Sequence, residues 1–320
     1  MTAISMTAIS MTTRRLPELF GRVSSVILAA AFVVVSCGSS SDVGIRVTTT
    51  ETGGTEPPAS ATSGRQPETP PPAAAGPARD APRLVGHFVP VIVERFAHDE
   101  TAWTQGLEWY DGRLLESTGR YGESSLRLVD PETGETELLL PIDDDLYAEG
   151  ITVVNDQAIQ LTYKEETLVR TSLADDARLS TPQRQPGAYD GPGWGLCFNG
   201  SELVMSDGTD ELRFRDPDSF EVTRSIRVLL DGEPVERLNE LECIGDQVFA
   251  NVWLTHTIVA IDARSGTVEA SIDASGLVPP GYEDTDDAVL NGIAYNEERG
   301  TFWLTGKLWP VLYEVTLAPR

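Results

Sequence analysis

Five short segments of the sequence open alike: Gln105-Gly106-Leu107, Glu149-Gly150-Ile151, Trp194-Gly195-Leu196, Asn239-Glu240-Leu241 and Asn291-Gly292-Ile293. Their first residues are 44, 45, 45 and 52 positions apart. The leading side chains are one carboxylate, three carboxamides and one indole. Packing alone would favour small or apolar residues there. This set suits a small polar molecule held by paired donors and acceptors against one apolar wall. Each opening is followed by a turn and a second apolar run, and Tyr163, Trp253 and Lys307 stand at nearly equivalent points beyond those runs. Lys307 and Lys164 are the only lysines among 24 basic residues, so neither is there merely for solubility. Each of these residues also has an ordinary reading. Aromatic residues pack between sheets, a lysine at a strand end reaches solvent, and Glu149 with Lys307 makes a buried structural pair.

Metal chemistry finds few ligands. The three histidines, His87, His98 and His256, include no pair at metal-ligand spacing, which excludes a zinc centre of the H-E-x-x-H kind. The acidic runs Asp143-Asp144-Asp145 and Asp284-Thr285-Asp286-Asp287 lack the glycine and glutamate spacing of an EF-hand loop. They read as solvated loops, with a structural calcium ion as the alternative. Cys197 and Cys243 lie at similar points of successive segments and either pair, in an oxidising compartment, or stay as buried thiols. A formal charge of −26 repels phosphate backbones and excludes nucleic acid as a partner.

The elements that must position these residues are strands. From about residue 86 onward the chain shows no 3.6-residue apolar period, but many short runs rich in Val, Ile, Leu, Tyr and Trp, bounded by Asp-Gly, Asn-Gly and Ser-Gly turns. Hairpins of the form Asp130-Pro131-Glu132-Thr133-Gly134 and Asp262-Ala263-Arg264-Ser265-Gly266 recur within the units. Four strands in each unit of roughly 45 residues is the pattern of a propeller blade. The expected fold is therefore all-β, a five-bladed β-propeller whose first strands line a central channel and gather their opening residues at one mouth. The last unit is short of strands after Pro310, and the run Pro90 to Phe96 supplies its outer strand and closes the ring. A two-sheet sandwich, the alternative, explains neither the repeat nor its phase.

Upstream of the repeats, Arg14, Arg15 and Arg22 precede the apolar run Val26 to Val35, which is too short to span a bilayer as a mature helix. Residues 1–37 read as a signal peptide. The sequence Val34-Val35-Ser36-Cys37-Gly38 resembles a bacterial lipobox, implying cleavage before Cys37 and a lipid on its sulfur, with a plain secretory signal as the alternative. Residues 38–85, rich in Ser, Thr, Pro, Gly and Ala, read as a disordered tether ahead of an 86–320 domain. These features place the protein in the cell envelope, extracytoplasmic and lipid-anchored to the membrane.

Eight ordered stretches carry a family resemblance: Trp103-Thr104-Gln105-Gly106-Leu107, Ala148-Glu149-Gly150-Ile151-Thr152, Gln160-Leu161-Thr162-Tyr163-Lys164, Gly193-Trp194-Gly195-Leu196, Leu238-Asn239-Glu240-Leu241-Glu242, Ala250-Asn251-Val252-Trp253, Leu290-Asn291-Gly292-Ile293-Ala294 and Leu304-Thr305-Gly306-Lys307-Leu308-Trp309. From about residue 90 to its end the chain resembles the plant-type (papaya-type) glutaminyl-peptide cyclotransferases and their bacterial relatives. The resemblance implies a five-bladed propeller that converts the N-terminal glutamine of peptides to pyroglutamate and releases ammonia.

The resemblance also implies roles. Glu149 becomes the general acid and base, Lys307 a catalytic charge, and Gln105 and Asn239 polar substrate contacts. The aromatic wall is Trp103, Tyr147, Tyr163, Trp194 and Trp253. Three of these depart from the family pattern, which has Phe at 103 and 147 and Trp at 163. The departures bear on pocket volume and substrate breadth more than on the chemistry. The implied mechanism needs no metal or cofactor, and the implied partners are peptides or proteins with N-terminal glutamine, met by a monomer. Two other classes of function stay open at this stage: a propeller that binds a ligand without turnover, and a metal-dependent lactonase.

Overall fold

The computed structural model describes residues 83–173, 180–283, 285 and 287–320. The 1–37 leader with Cys37, and the 38–85 stretch up to residue 82, lie outside the described residues. Among the described residues, Arg83 and Leu84 already contact the domain. The Arg83 guanidinium pairs with Asp262 and Glu269, and the backbone of Leu84 exchanges two hydrogen bonds with the Gln247 carboxamide, each 2.8 Å.

The described chain is all-β apart from a single 3-10 turn at Ser275–Leu277. Strand β1 (Gly86–Ala97) is followed by β2 (Thr104–Tyr110), β3 (Arg113–Thr118), β4 (Ser125–Val129) and β5 (Thr136–Pro141), which form a four-stranded antiparallel sheet in that order. The next sheet is β6 (Ala148–Val154), β7 (Gln157–Thr162), β8 (Thr167–Ser172) and β9 (Gln183–Pro186). The third is β10 (Leu196–Phe198), β11 (Leu203–Met205), β12 (Glu211–Arg215) and β13 (Val222–Arg227), followed by the small hairpin β14 (Leu229–Leu230) and β15 (Glu233–Pro234). Strands β16 (Leu238–Ile244), β17 (Gln247–Val252), β18 (Thr257–Asp262) and β19 (Val268–Asp273) continue through β1 into β22 (Val311–Pro319), β21 (Thr301–Gly306) and β20 (Leu290–Asn296), an eight-stranded sheet. In it β1 runs parallel to β19 over Gly86–Phe88 and antiparallel to β22 from Phe88 to Ala97. The Pro90 to Phe96 run thus lies beside β22, the place the sequence assigns it.

Burial is graded across each sheet. Strands β16 and β20 are buried at every residue, whereas β5 and β13 alternate between exposed and half-buried positions, the period-2 signature of a strand with one wet face. Apolar side chains fill the spaces between successive sheets. One cluster joins β17–β19 to β20–β22 through Phe249, Ile272, Phe302 and Val315, and another joins β2–β4 to β20–β22 through Leu107, Leu114, Trp303 and Leu312. Each such fully buried aliphatic or aromatic side chain contributes roughly 1.5–3 kcal/mol. Cys197 of β10 and Cys243 of β16 are bonded as a disulfide, with Cα atoms 5.5 Å apart. This settles the alternative left open by their spacing.

The repeated glycines are explained by crowding. A Cβ at Gly106 would lie 2.7 Å from the Ile151 nitrogen, one at Gly150 2.5 Å from the Leu196 nitrogen, and one at Gly195 2.0 Å from the Asn239 carbonyl oxygen. The first strands of neighbouring sheets approach too closely there for any side chain.

Candidate active site

The register shifts at the same place in four strands, β2, β6, β16 and β20: between Thr104 and Gly106, Ala148 and Ile151, Leu238 and Leu241, and Leu290 and Ile293. A bulge re-aims the side chain it carries. Here it carries Gln105, Glu149, Asn239 and Asn291, the residues that open the repeats. The second strands are set by another recurring bond. The amide of the residue just past each strand donates to the carbonyl two positions before the opening residue: Gly119 to Trp103, Tyr163 to Tyr147, Trp253 to Arg237 and Lys307 to Val289, all 2.9 Å. The equivalence of Tyr163, Trp253 and Lys307 that spacing suggests is thus a matter of backbone geometry.

These segments meet around one cavity of about 220 Å³, lined by Trp103, Gln105, Tyr147, Glu149, Tyr163, Trp194, Asn239, Trp253, Asp287 and Lys307. All nine pocket residues singled out from the sequence are brought together. The volume is below the ~300–1,000 Å³ of sites for drug-sized ligands, a size suited to one side chain and its neighbouring groups. Glycines make room for the walls. A Cβ at Gly119 would meet the Tyr147 ring at 2.4 Å and one at Gly208 the Trp194 ring at 2.7 Å. Trp194 and Trp253 meet edge to face at 5.5 Å, and Tyr147 tilts against Tyr163 at 5.8 Å.

Glu149 is buried and accepts one side-chain hydrogen bond, from Gln105 Nε2 at 3.0 Å. Burial holds its carboxyl well above the usual carboxylate range. The Lys307 charge opposes that shift and the Glu165 charge adds to it. Lys307 is itself buried, its ammonium 5.5 Å from the centre of the Trp103 ring, and burial pulls its pKa down to about 8 against the attraction of Glu149. Burial, then the Glu149 charge, raises the Tyr147 hydroxyl. Gln105 Oε1 is buried with no hydrogen-bond partner, an acceptor free for a ligand.

Two residues stand otherwise than the sequence reading has them. Asn291, which the repeat groups with the residues gathered at the mouth, is not among those that line the cavity: its Oδ1 accepts from Asn239 Nδ2 at 2.9 Å and its Nδ2 donates to the Thr104 carbonyl at 3.0 Å. Asp287 lines the cavity although its run reads as a solvated loop; only the density of acid there marked it. Asp284 and Asp286 of that run lie outside the described residues. The other acidic run is engaged by a cation, with Asp143 and Asp145 each 3.0 Å from Arg184. Among the described residues no group of three or more His, Cys, Asp and Glu side chains is placed to hold a metal ion.

A buried carboxylate and a buried lysine lining one cavity among aromatic rings, where several antiparallel sheets converge, form an arrangement suited to moving protons on a small polar substrate. Residues 71–317 match the glutamine cyclotransferase family model, and the chain belongs to that family. It is similar to a glutaminyl-peptide cyclotransferase of Arabidopsis thaliana, 38% identical over 232 residues that span 71% of this chain and 70% of the plant protein. It is also similar in structure to the glutaminyl cyclase of Myxococcus xanthus, with a TM-score of 0.66 and 36% identity, covering 73% of this chain and 98% of the other.

Proposed function

We propose that the chain is a glutaminyl-peptide cyclotransferase that converts the N-terminal glutamine of peptides or proteins to pyroglutamate with release of ammonia. The observation that carries this reading is the state of Glu149, buried in the aromatic cavity with its pKa raised and facing Lys307. The α-amine of glutamine attacks its own γ-carboxamide carbon, so a C–N bond forms and a tetrahedral oxyanion develops. Glu149 takes the proton the amine loses. It then returns that proton to the carboxamide nitrogen, whose bond to carbon breaks as ammonia departs. A carboxyl with a raised pKa serves both transfers. The cage holds amine and carbonyl in the ring-closing geometry, the entropic part of the acceleration.

The oxyanion falls to Lys307. Gln105 directs its N–H groups to Glu149, and Asn239 directs its own to Asn291, so both offer carbonyl oxygens as acceptors for the substrate amine or amide. Tyr147 and Tyr163 bring hydroxyls to a wall that is otherwise apolar, which favours substrates with a polar group after the glutamine. No step needs a metal or cofactor.

We further infer that the eight-stranded sheet is two four-stranded blades joined at β1, giving a five-bladed propeller. The apolar clusters between successive sheets support it, since one of them links the first sheet to the last. The leader, the Cys37 lipid anchor and the tether make the enzyme a monomeric exported lipoprotein, for which the disulfide fits the oxidising compartment. Any calcium it binds is structural.

The test is ammonia release from a short peptide that begins with glutamine, with one that begins with glutamate as control. No ammonia from the glutamine peptide overturns the reading. Release abolished by chelation and restored by zinc, with the fold intact, overturns the Glu149 mechanism. For the anchor, Cys37→Ser frees the protein from membranes; unchanged retention refutes it.

A further inference from the structure

His98 follows β1 directly and is buried where the two ends of the domain meet. Its Nδ1 lies 2.7 Å from the Trp309 carbonyl oxygen and its Nε2 3.1 Å from Glu116 Oε1. The Thr305 hydroxyl, 3.4 Å from Nδ1, already donates to the Val311 carbonyl and so adds another acceptor. Both ring nitrogens therefore face acceptors. A neutral imidazole carries one N–H and leaves a lone pair against an oxygen lone pair. Only a proton shared within the His98–Glu116 pair satisfies the geometry.

Two pocket segments hang on this pair. Glu116 Oε1 also accepts from the Thr104 hydroxyl at 2.7 Å, between Trp103 and Gln105 in the chain. The Trp309 carbonyl belongs to the turn that displays Lys307, where Leu308 has φ 60, a left-handed backbone that its surroundings must maintain. The Leu308 amide donates to Ala102 at 2.7 Å and the His98 amide to Pro310 at 3.2 Å.

We propose that His98 is a positioning residue for the reaction: as an imidazolium bonded to Glu116 and the Trp309 carbonyl it fixes the Lys307 turn against the Trp103–Gln105 segment, so the pocket is fully assembled only while the pair holds its proton. The charged groups facing the ring are Glu116 of β3, Arg127 of β4, 4.0 Å from Glu116, and Asp99, which pairs with Arg127 at 2.8 Å. Burial opposes the charge on His98, but the Glu116 charge and the hydrogen bonds from Glu116 and Trp309 outweigh it and raise the ring's pKa. Burial opposes the charge on Glu116 too, but the His98 charge and hydrogen bond, the Arg127 charge and the Thr104 hydroxyl outweigh it and lower its pKa. The role of Lys307 in this argument rests on the cyclotransferase reading. The state of the pair does not.

The test uses the purified chain with imidazole nitrogen NMR, the signal of His98 being assigned by its loss in His98→Gln. At about pH 8, where an unperturbed imidazole is neutral, His98 is expected to carry both protons. In Glu116→Gln it is expected to be neutral, because the new carboxamide can donate to Nε2 and satisfy the ring without the proton. The part of the alkaline decline that follows His98 should be missing from this variant's pH profile. His98→Gln should lower kcat about tenfold with little change in KM, short of the ~100-fold that a 1 Å misplacement can cost. A neutral His98 at that pH in fully active wild type overturns the proposal, as does a folded His98→Gln with wild-type kcat and pH profile. Should His98→Gln not fold, the Glu116→Gln arm decides, with His98 assigned by substituting His87 and His256 instead. A chain that cyclised no peptide would sink the proposed function. The clamp would then be decided by NMR and by whether exchange of the Leu308 amide accelerates as His98 loses its proton.

Discussion

Glu149 and Glu240 are both buried in the inner strands, and both have pKa values pushed well above the usual carboxylate range chiefly by burial. Their surroundings differ. Glu240 stands where four of the five repeats carry glycine, and its two oxygens accept the backbone amides of Leu107 at 3.2 Å and Ile293 at 2.8 Å. It ties strands β2 and β20 together from within. Glu149 accepts one side-chain bond and faces a cavity. A perturbed pKa therefore does not distinguish a catalytic carboxyl from a structural one; unfilled hydrogen-bonding capacity facing a space does.

The largest test of that contrast is Glu149→Gln. The isostere keeps the shape but cannot carry a proton, so kcat/KM should fall by about 10²–10⁴, with the melting temperature unchanged or raised. Glu240→Gln should leave the rate close to wild type. Equal losses of rate in the two variants would erase the distinction.

Stability should respond in the opposite order. In Glu240→Gln one oxygen becomes an NH₂ group opposed to a backbone N–H, a loss of about 1–3 kcal/mol in denaturant titration. The pH dependence has a definite sign. Because both carboxyls are raised above their ordinary value of 4.5, the folded chain binds more protons than the unfolded one above that pH. Their contribution to stability is thus present below it and lost as pH rises through the folded pKa. Either variant should flatten that slope.

Lys307 should give the reverse. With its pKa lowered from 10.5 to about 8, the folded chain binds fewer protons than the unfolded one between those values, so this group makes stability rise with pH across the window. Activity should fall as Lys307 loses its charge above about pH 8. Lys307→Arg, charged throughout, should remove that part of the decline at the cost of a lower kcat, about tenfold given the changed donor geometry. A decline unchanged in this variant assigns the ionisation elsewhere.

The repeat was legible because the backbone imposes it. Glycines forced by strand approach and bulges that aim the opening residues recur at fixed spacing, so Gln105, Glu149, Asn239, Trp253 and Lys307 could be gathered from sequence alone. Hairpins were legible for a similar reason: Asp130 and Asp262 each accept two backbone amides in their own turns, which close on Gly134 and Gly266 with φ 71 and 77. What spacing cannot carry is the partner of a side chain. Asn291 shares the repeat position of Asn239 but turns to it rather than to the cavity. Asp287 reaches the cavity from a loop with no period. His98 meets Glu116 and Trp309 across the domain, where neither local pattern nor composition points.

The smallest effect follows from that Asn239–Asn291 pair. Asn291 holds the Asn239 amide by its N–H group, which leaves the Asn239 carbonyl oxygen as an acceptor on a residue that lines the cavity. Asn239→Ala should raise KM by removing that acceptor. Asn291→Ala should raise it less, because Asn239 remains but is free to rotate. In the double variant Asn291 has nothing left to orient, so the two losses should overlap. A double-mutant cycle on kcat/KM should give a coupling of about 0.5–1.5 kcal/mol, the value of one buried neutral hydrogen bond. Simple additivity would show that Asn291 acts only through its bond to the Thr104 carbonyl, by holding the two ends of the domain together, and that the carboxamide ring at the mouth contains one fewer working member than its repeat suggests.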